Sequence, residues 1–170
     1  MPRCAGPLVL ASLLFPGLSG AQQYDLRTFS LEQGLPGAAV NALCEDRDGF
    51  LWVATDQGAA RSEGSHFETI GRAQGLPSDE VSSLFCDGSG RVWIGCRNGA
   101  VSTWQDGSLT VNAVPRAAPV RGFAQDRHSE IWIATLGTGI LHLEADGSAV
   151  DASQGLTSLR VNAIVCDAKG

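Results

Sequence analysis

The chain has 170 residues, which is enough for one ordinary domain with a substantial core. It carries 12 lysines and arginines against 18 aspartates and glutamates, and its one lysine, Lys169, and its scattered arginines form no basic patch. This distribution excludes the phosphate-neutralising surface that nucleic-acid binding requires, so we expect no nucleic-acid partner for this segment. Twenty-one glycines among short runs of valine, isoleucine and leucine favour an all-β chain over a helical one.

The N-terminal segment 1–21 has the layout of a secretory signal peptide. One cation, Arg3, precedes an apolar stretch that runs to about Leu18, and small residues follow it. The alternative is an N-terminal membrane anchor, but the apolar run is shorter than the roughly 20 residues that a span needs and contains two prolines. We therefore predict cleavage after Ala21 and an exported protein.

From residue 22 to residue 170, one phrase recurs about every 40 residues. Its tryptophans, Trp52, Trp93 and Trp132, are 41 and 39 residues apart. An aspartate lies six residues before each tryptophan, and the aspartate returns a fourth time as Asp167. A period of this length is typical of repeat architectures.

Each unit reads as four short strands separated by tight turns. In the first unit the strands are VNALCED, FLWVAT, AARSE and HFETI, and the turns are RDG, DQG and GS. Four antiparallel strands in forty-odd residues is the spacing of a β-propeller blade. The sequence therefore predicts an all-β fold with blades at 40–70, 81–111 and 120–150.

Two further segments match parts of a unit. Residues 161–170 read as the start of the next blade, and residues 24–30 read as a fourth strand that lacks its first three. We expect the latter to be an outer strand that closes the ring by completing the last blade. Because propellers have about four to eight blades, the chain is expected to be an N-terminal fragment with about three blades of an incomplete ring.

The strand that carries each tryptophan is apolar on both faces, as expected for a sheet covered by a neighbour on either side. We predict that Trp52, Trp93 and Trp132 are structural core residues. Two positions after each tryptophan, on the same face, stands a small residue that leaves space for a bulky group from the adjacent blade: Ala54, Gly95 or Ala134.

Four cysteines follow the predicted cleavage site: Cys44, Cys86, Cys96 and Cys166. Disulfides are the first expectation for an exported protein. However, Cys86 and Cys166 occupy the same position of different units, and the architecture would hold equivalent strands apart. We therefore interpret the four as small buried apolar residues, with disulfides as the alternative. None has the spacing of a zinc site.

No catalytic or metal-binding arrangement is recognisable. The three histidines, His66, His128 and His142, lie at different repeat positions, so we expect no shared metal site. The DRDG segment at 46–49 resembles the start of a calcium loop but lacks the glutamate due at its twelfth position, and is predicted to be a turn. No cofactor is predicted.

The repeat closely resembles the two-component regulator propeller repeat. The second unit matches from Gly75 through Gly99, whereas the third lacks the GLP phrase and has Ser129 where a glycine is expected. The matching residues of the first unit are Gly34, Leu35, Pro36, Val40, Leu43, Asp46, Gly49, Trp52, Thr55 and Gly58.

The resemblance implies the periplasmic sensor domain of an inner-membrane protein. It implies a membrane span and a histidine kinase module beyond residue 170, coupled to a phosphorelay. It also implies a small-molecule ligand, with carbohydrates or their breakdown products as the usual class, and it is compatible with a homodimer of the full-length protein.

The leading interpretation is therefore a non-enzymatic ligand sensor, with a secreted propeller enzyme, such as a polysaccharide lyase or hydrolase, or a structural interaction platform as alternatives. The turns after the tryptophan strands share one face, and turns on a rigid frame often carry recognition. We predict Asp56, Arg97 and Leu136, which occupy one repeat position but differ in polarity, as ligand-binding residues. The alternative is that they are unconstrained solvent positions.

Overall fold

The computed structural model describes residues 28–114, 118–144 and 148–167. The predicted signal peptide, 1–21, and most of the predicted strand at 24–30 lie outside these residues. Within them, twelve strands form three four-stranded antiparallel sheets, each with its strands in sequence order. The prediction of an all-β fold built from four-stranded blades is confirmed.

Three sheets, called here blades 1, 2 and 3, follow one another along the chain. Blade 1 contains β1 (Val40–Glu45), β2 (Leu51–Thr55), β3 (Gly58–Glu63) and β4 (His66–Ile70). Blade 2 contains β5 (Val81–Cys86), β6 (Val92–Cys96), β7 (Val101–Gln105) and β8 (Ser108–Asn112). Blade 3 contains β9 (Val120–Gln125), β10 (Ile131–Thr135), β11 (Ile140–Leu143) and β12 (Ala149–Asp151).

Short 3₁₀ helices precede blades 1 and 2, at Leu31–Gln33 and Arg72–Gln74. The QGLP segments at 33–36 and 74–77 are predicted to be turns, and in the structure the turn starts at their glycine while their glutamine is the last residue of the helix. The Gln33 side chain accepts a hydrogen bond from the Ser30 N–H at 2.8 Å and so caps the start of the helix. The following glycine ends the helix in the left-handed region, with φ of 92° at Gly34.

The core lies between the blades. Trp52 is fully buried and packs with Val81, Leu84, Val92 and Ile94 of blade 2. Trp93 is similarly buried and packs with four residues of blade 3: Val120, Phe123, Ile131 and Ile133. Each of these tryptophans thus fills the joint between its own blade and the next one.

Gly95 shows why a small residue follows the tryptophan. A Cβ atom built on Gly95 would lie 2.5 Å from Cγ1 of Val120 and would also collide with Ser83. This agrees with the prediction that the position leaves space for the adjacent blade. Trp132, in contrast, is only partly buried, and its ring stacks on His142 with 4.5 Å between the ring centroids.

The first strands of the three blades lie side by side. Asn41 Nδ2 donates a hydrogen bond to the Val81 carbonyl at 2.8 Å. At the equivalent place of the next joint, Ser82 Oγ donates to the Val120 carbonyl at 2.7 Å. In β1 and in β5, the side chain of the second residue therefore forms a hydrogen bond to the first residue of the next blade's first strand.

One disulfide corrects the sequence analysis. Cys44 of β1 and Cys86 of β5 form a disulfide with 6.1 Å between their Cα atoms, so the expectation that the cysteines do not pair is wrong for these two. The error was to assume that equivalent strands are held apart, whereas the first strands of adjacent blades are neighbours. Cys96 is free and buried, and Cys166 is free and exposed.

Two segments at the ends of the described residues lie outside the blades. Residues 28–30 lie outside any strand, and the Phe29 ring packs edge-on against Phe67 of β4 at 5.3 Å. Residues 161–167, predicted to begin a further blade, also form no strand. The Val161 N–H donates to the Thr135 carbonyl at 3.0 Å, so this segment starts beside blade 3.

Candidate functional site

The predicted ligand-binding residues occupy equivalent turns. Arg97 directly follows β6, and its backbone N–H donates to the Glu80 carbonyl at 2.9 Å. Leu136 directly follows β10, and its N–H donates to the Pro119 carbonyl at 2.9 Å. Each turn is thereby fixed to the residue that precedes the first strand of its own blade. Arg97 and Leu136 therefore share one end of the sheets, and Asp56 follows β2 in the same way.

A cleft of about 500 Å³ opens on this end between blade 1 and the linker to blade 2. Asp56, Gln57, Arg72, Ser78, Asp79 and Glu80 line it. The one cation is already paired, because Arg72 Nε lies 3.3 Å from Asp79 Oδ2. The cleft therefore has an acidic surface. Neither Arg97 nor Leu136 lines it, so the structure does not bring the three predicted residues into one site, and their role in ligand binding remains a prediction.

The aspartates of the repeat organise the opposite end of the blades. Asp87 Oδ1 accepts hydrogen bonds from the Ser89 and Arg91 N–H groups, and Oδ2 accepts one from Trp93 Nε1 at 2.8 Å. The turn at DRDG is predicted from the sequence, whereas the bond to the indole is not. The constant spacing of six residues between aspartate and tryptophan was the signal that could have indicated it.

The same bond recurs in all three blades, from Trp52 Nε1 to Asp46 at 2.7 Å and from Trp132 Nε1 to Asp126 at 3.1 Å. The divergent third turn keeps the geometry because Ser129 adopts a φ of 67°, the left-handed conformation that glycines supply in the other two turns. The repeat position therefore constrains the backbone even where the residue differs.

These hydrogen bonds affect the acidity of the turn aspartates. Burial alone would raise the pKa of Asp87, but hydrogen bonds from Ser89, Trp93 and Arg91 outweigh it and hold that pKa below its ordinary value. The hydrogen bond from the Trp132 indole is the main cause that lowers the pKa of Asp126. Both groups are accordingly carboxylates at neutral pH and act as hydrogen-bond acceptors, not as proton donors.

Two clefts lie between neighbouring blades at this same end. The 1–2 cleft, about 320 Å³, is lined by residues of blades 1 and 2 that include Arg47, Arg61 and Trp104. The 2–3 cleft, about 290 Å³, is lined by residues that include Thr103, Asn112 and Glu130. Sequence reasoning missed both, because an alignment of the repeats does not show which side chains of adjacent blades face one another.

In the described ranges 28–114, 118–144 and 148–167, no group of three or more His, Cys, Asp or Glu side chains is arranged to hold a metal ion. His142 instead contacts two carboxylates, with its Nε2 3.1 Å from Glu130 Oε2 and its Nδ1 3.7 Å from Glu144 Oε1. The described part of the chain also contains no helix with the length and apolar character of a membrane span.

The family comparison identifies the repeat. The model of the two-component regulator propeller matches residues 34–57 and 75–98. These two units are therefore similar to two-component regulator propeller repeats. Each match runs from the glycine that ends a 3₁₀ helix, through the aspartate turn and the tryptophan strand, into the turn that follows it. The matched residues are thus those that build the blade. No curated protein sequence is significantly similar to the chain.

Solved structures with similar folds include two bacterial extracellular domains. An extracellular domain from B. thetaiotaomicron, described as part of a hybrid two-component system, aligns with a TM-score of 0.70 at 21% identity over 79% of this chain. A second domain from that organism, described as part of a one-component system, has a TM-score of 0.64 at 16% identity over 78% of this chain. This chain spans 21% of the length of each of those domains.

An enzyme is also structurally similar. Virginiamycin B lyase from Staphylococcus aureus aligns with a TM-score of 0.61 at 15% identity, covering 73% of this chain and 44% of the lyase. At these identities the structural similarities establish the propeller fold and nothing about activity.

Proposed function

We propose that this chain belongs to the extracytoplasmic ligand-sensing propeller of a two-component signal-transduction protein. The observation that carries the proposal is the match of two blades to the regulator propeller repeat. The similar folds of two extracellular domains from such regulatory systems support it. In this proposal the propeller itself is non-catalytic and the signal output lies elsewhere in the protein.

The inter-blade disulfide supports an exported location. Disulfides form and persist in oxidising compartments and are rare in the reducing cytoplasm. Cys44 and Cys86 are paired between two blades, which places the cross-link inside the repeat scaffold. The sequence of residues 1–21, with one cation before an apolar stretch, supplies the matching export signal.

Export is tested with an alkaline phosphatase fusion, since that enzyme becomes active only where its own disulfides can form. We expect a fusion after residue 170 to be active when residues 1–21 are present and inactive when the fusion starts at Gln22. Equal activity of the two fusions would contradict the export signal. Immunoblots of both fusions control for expression.

Sensing is tested on the complete gene product. We expect a deletion of blades 1 and 2 to abolish the transcriptional response of the cell to an inducing carbohydrate mixture while the protein still reaches the membrane. Sequencing of the gene beyond Gly170 separates the alternatives. A kinase or other signalling module supports the proposal, whereas a reading frame that ends after the last blade favours a secreted enzyme or an interaction platform.

A further inference from the structure

The 1–2 cleft contains two arginines on one wall. Arg47 lies in the turn between β1 and β2, and Arg61 lies on β3, paired in register with Trp52. Both line the same space of about 320 Å³ between blades 1 and 2. Their guanidinium groups are the cations of this cleft, which Asp46, Asp48 and Asp106 also line.

Arg61 is held in place with spare hydrogen-bonding capacity. Its guanidinium carbon lies 3.8 Å from the centre of the Phe50 ring, and its side chain is 22% exposed. Arg61 Nε lies 3.9 Å from Asp46 Oδ2, which is an ion-pair distance but not a hydrogen bond. The Nε atom is buried and has no hydrogen-bond partner in the described structure.

Asp46 makes no hydrogen bond to Arg61 Nε, and its oxygens accept three other N–H groups of its own blade. Oδ1 accepts the Asp48 and Phe50 N–H groups at 3.0 and 2.9 Å, and Oδ2 accepts the Trp52 indole N–H at 2.7 Å. A buried donor without a partner is energetically costly, and an acceptor brought by a ligand would remove that cost.

Arg47 approaches the cleft from the same blade. Its guanidinium lies against blade 2, where a Cβ atom built on Gly90 would be 3.3 Å from Arg47 Cζ. The side chain is exposed, and no hydrogen bond or ion pair is assigned to it among the described residues. Its charge is therefore available to a molecule that enters the cleft.

The equivalent 2–3 cleft provides an internal comparison. There the positions of Arg47 and Arg61 are occupied by Gly88 and Thr103. Arg91, which lines the 2–3 cleft, donates a hydrogen bond to Asp87 instead, and blade 2 still packs on blade 3. The repeat thus folds without arginines at these two positions. Asp48 and Asp106 also line the 1–2 cleft and are exposed, as Arg47 is, so water screens the charges of all three.

We propose that the 1–2 cleft binds a small oxyanion or a ligand that carries one, namely a carboxylate, sulfate or phosphate group held by Arg47 and Arg61. Guanidinium groups present planar pairs of donors that match these anions. The site lies at the opposite end of the blades from Asp56, Arg97 and Leu136. The inference is independent of the proposed sensor function, because it would hold equally in a propeller with another role.

The test uses the intact oxidised chain and three probes, sodium sulfate, phosphate and acetate, titrated at constant ionic strength with sodium chloride. Binding is followed by the fluorescence of the tryptophans, since Trp104 lines the cleft. We expect saturable binding of at least one probe. Absence of saturable binding for all three would overturn the proposal.

The variants Arg61→Thr and Arg47→Gly install the residues that the 2–3 cleft carries at these positions. Each should weaken binding by roughly tenfold or more, the loss expected for a hydrogen bond to a charged group. Because Arg47 is exposed, Arg47→Gln offers a variant with little structural risk and the same expected loss. Arg121→Gln is the matched control, because Arg121 is exposed and does not line the 1–2 cleft, and it should bind as the unaltered chain does.

Near-ultraviolet circular dichroism checks that each variant is folded. Unchanged affinity in the folded Arg47→Gln and Arg61→Thr variants would place the anion elsewhere and overturn the proposal. An equal loss in Arg121→Gln would show a general effect of net charge and would also overturn it. Preference for sulfate or phosphate over acetate identifies which ligand group the cleft accepts.

Discussion

The disulfide between blades 1 and 2 allows a quantitative prediction. Replacing both Cys44 and Cys86 by serine removes a cross-link that spans 42 residues of sequence. In the chain-entropy treatment, a loop of that length constrains the unfolded state by about 4 kcal/mol. We therefore expect the double variant to lose about 4 kcal/mol of unfolding free energy.

The measurement is urea unfolding of the oxidised chain, followed by tryptophan fluorescence. With a slope of about 1–3 kcal/mol per molar urea, the midpoint should fall by about 1 M or more. Cys166→Ser is the control, because Cys166 is exposed and free and its replacement should leave the midpoint unchanged. The unaltered chain in reducing buffer should behave like the double variant. Equal midpoints of the oxidised chain and the double variant would refute the reasoning.

Four further expectations follow from single residues. Trp52→Ala should cost roughly 3–5 kcal/mol in urea unfolding, because it empties a fully buried aromatic site between blades; a loss below about 1 kcal/mol would contradict that role. The pKa of Asp87 lies below its unfolded value of 3.8, so its contribution to stability is present above about pH 4 and is lost as the pH falls through the folded pKa; Asp87→Asn should flatten this acid limb of the stability profile. Burial raises the pKa of the Cys96 thiol to about 11, so iodoacetamide at pH 8 should modify Cys166 in the native chain and Cys96 only after unfolding, as read by mass spectrometry. Ser129→Gly should raise stability by about 1 kcal/mol, because it relieves a left-handed backbone at a serine; a lower urea midpoint would argue against strain there.

The fold was predictable because the repeat itself encodes it. The regular return of Trp52, Trp93 and Trp132, with apolar residues on both faces of their strands, is enough to define the blade and its two covered faces. The burial of Trp52 and the steric limit at Gly95 follow from that pattern. Features that repeat are visible in a sequence because each copy supports the interpretation of the others.

Features that join one particular pair of blades were not predictable in this way. Cys44 and Cys86 stand at repeat positions that differ by one residue, so an alignment of the repeats does not indicate that they pair. They meet because β1 lies beside β5. The cleft of Arg47 and Arg61 depends likewise on which side chains face the neighbouring blade. The two 3₁₀ helices were not predicted for a different reason, since each has only three residues and depends on a glutamine side chain that bonds to a backbone N–H three residues away.

The hydrogen bond between aspartate and tryptophan has a consequence for how such a protein can lengthen. The indole nitrogen of Trp52 is bound by the turn of its own blade, while the indole ring packs on the following blade. A duplicated unit therefore already contains the surface on which the next unit packs. Gene duplication can thus add blades that pack through the same contacts as the existing ones. The other side chains between individual pairs of blades can then diverge.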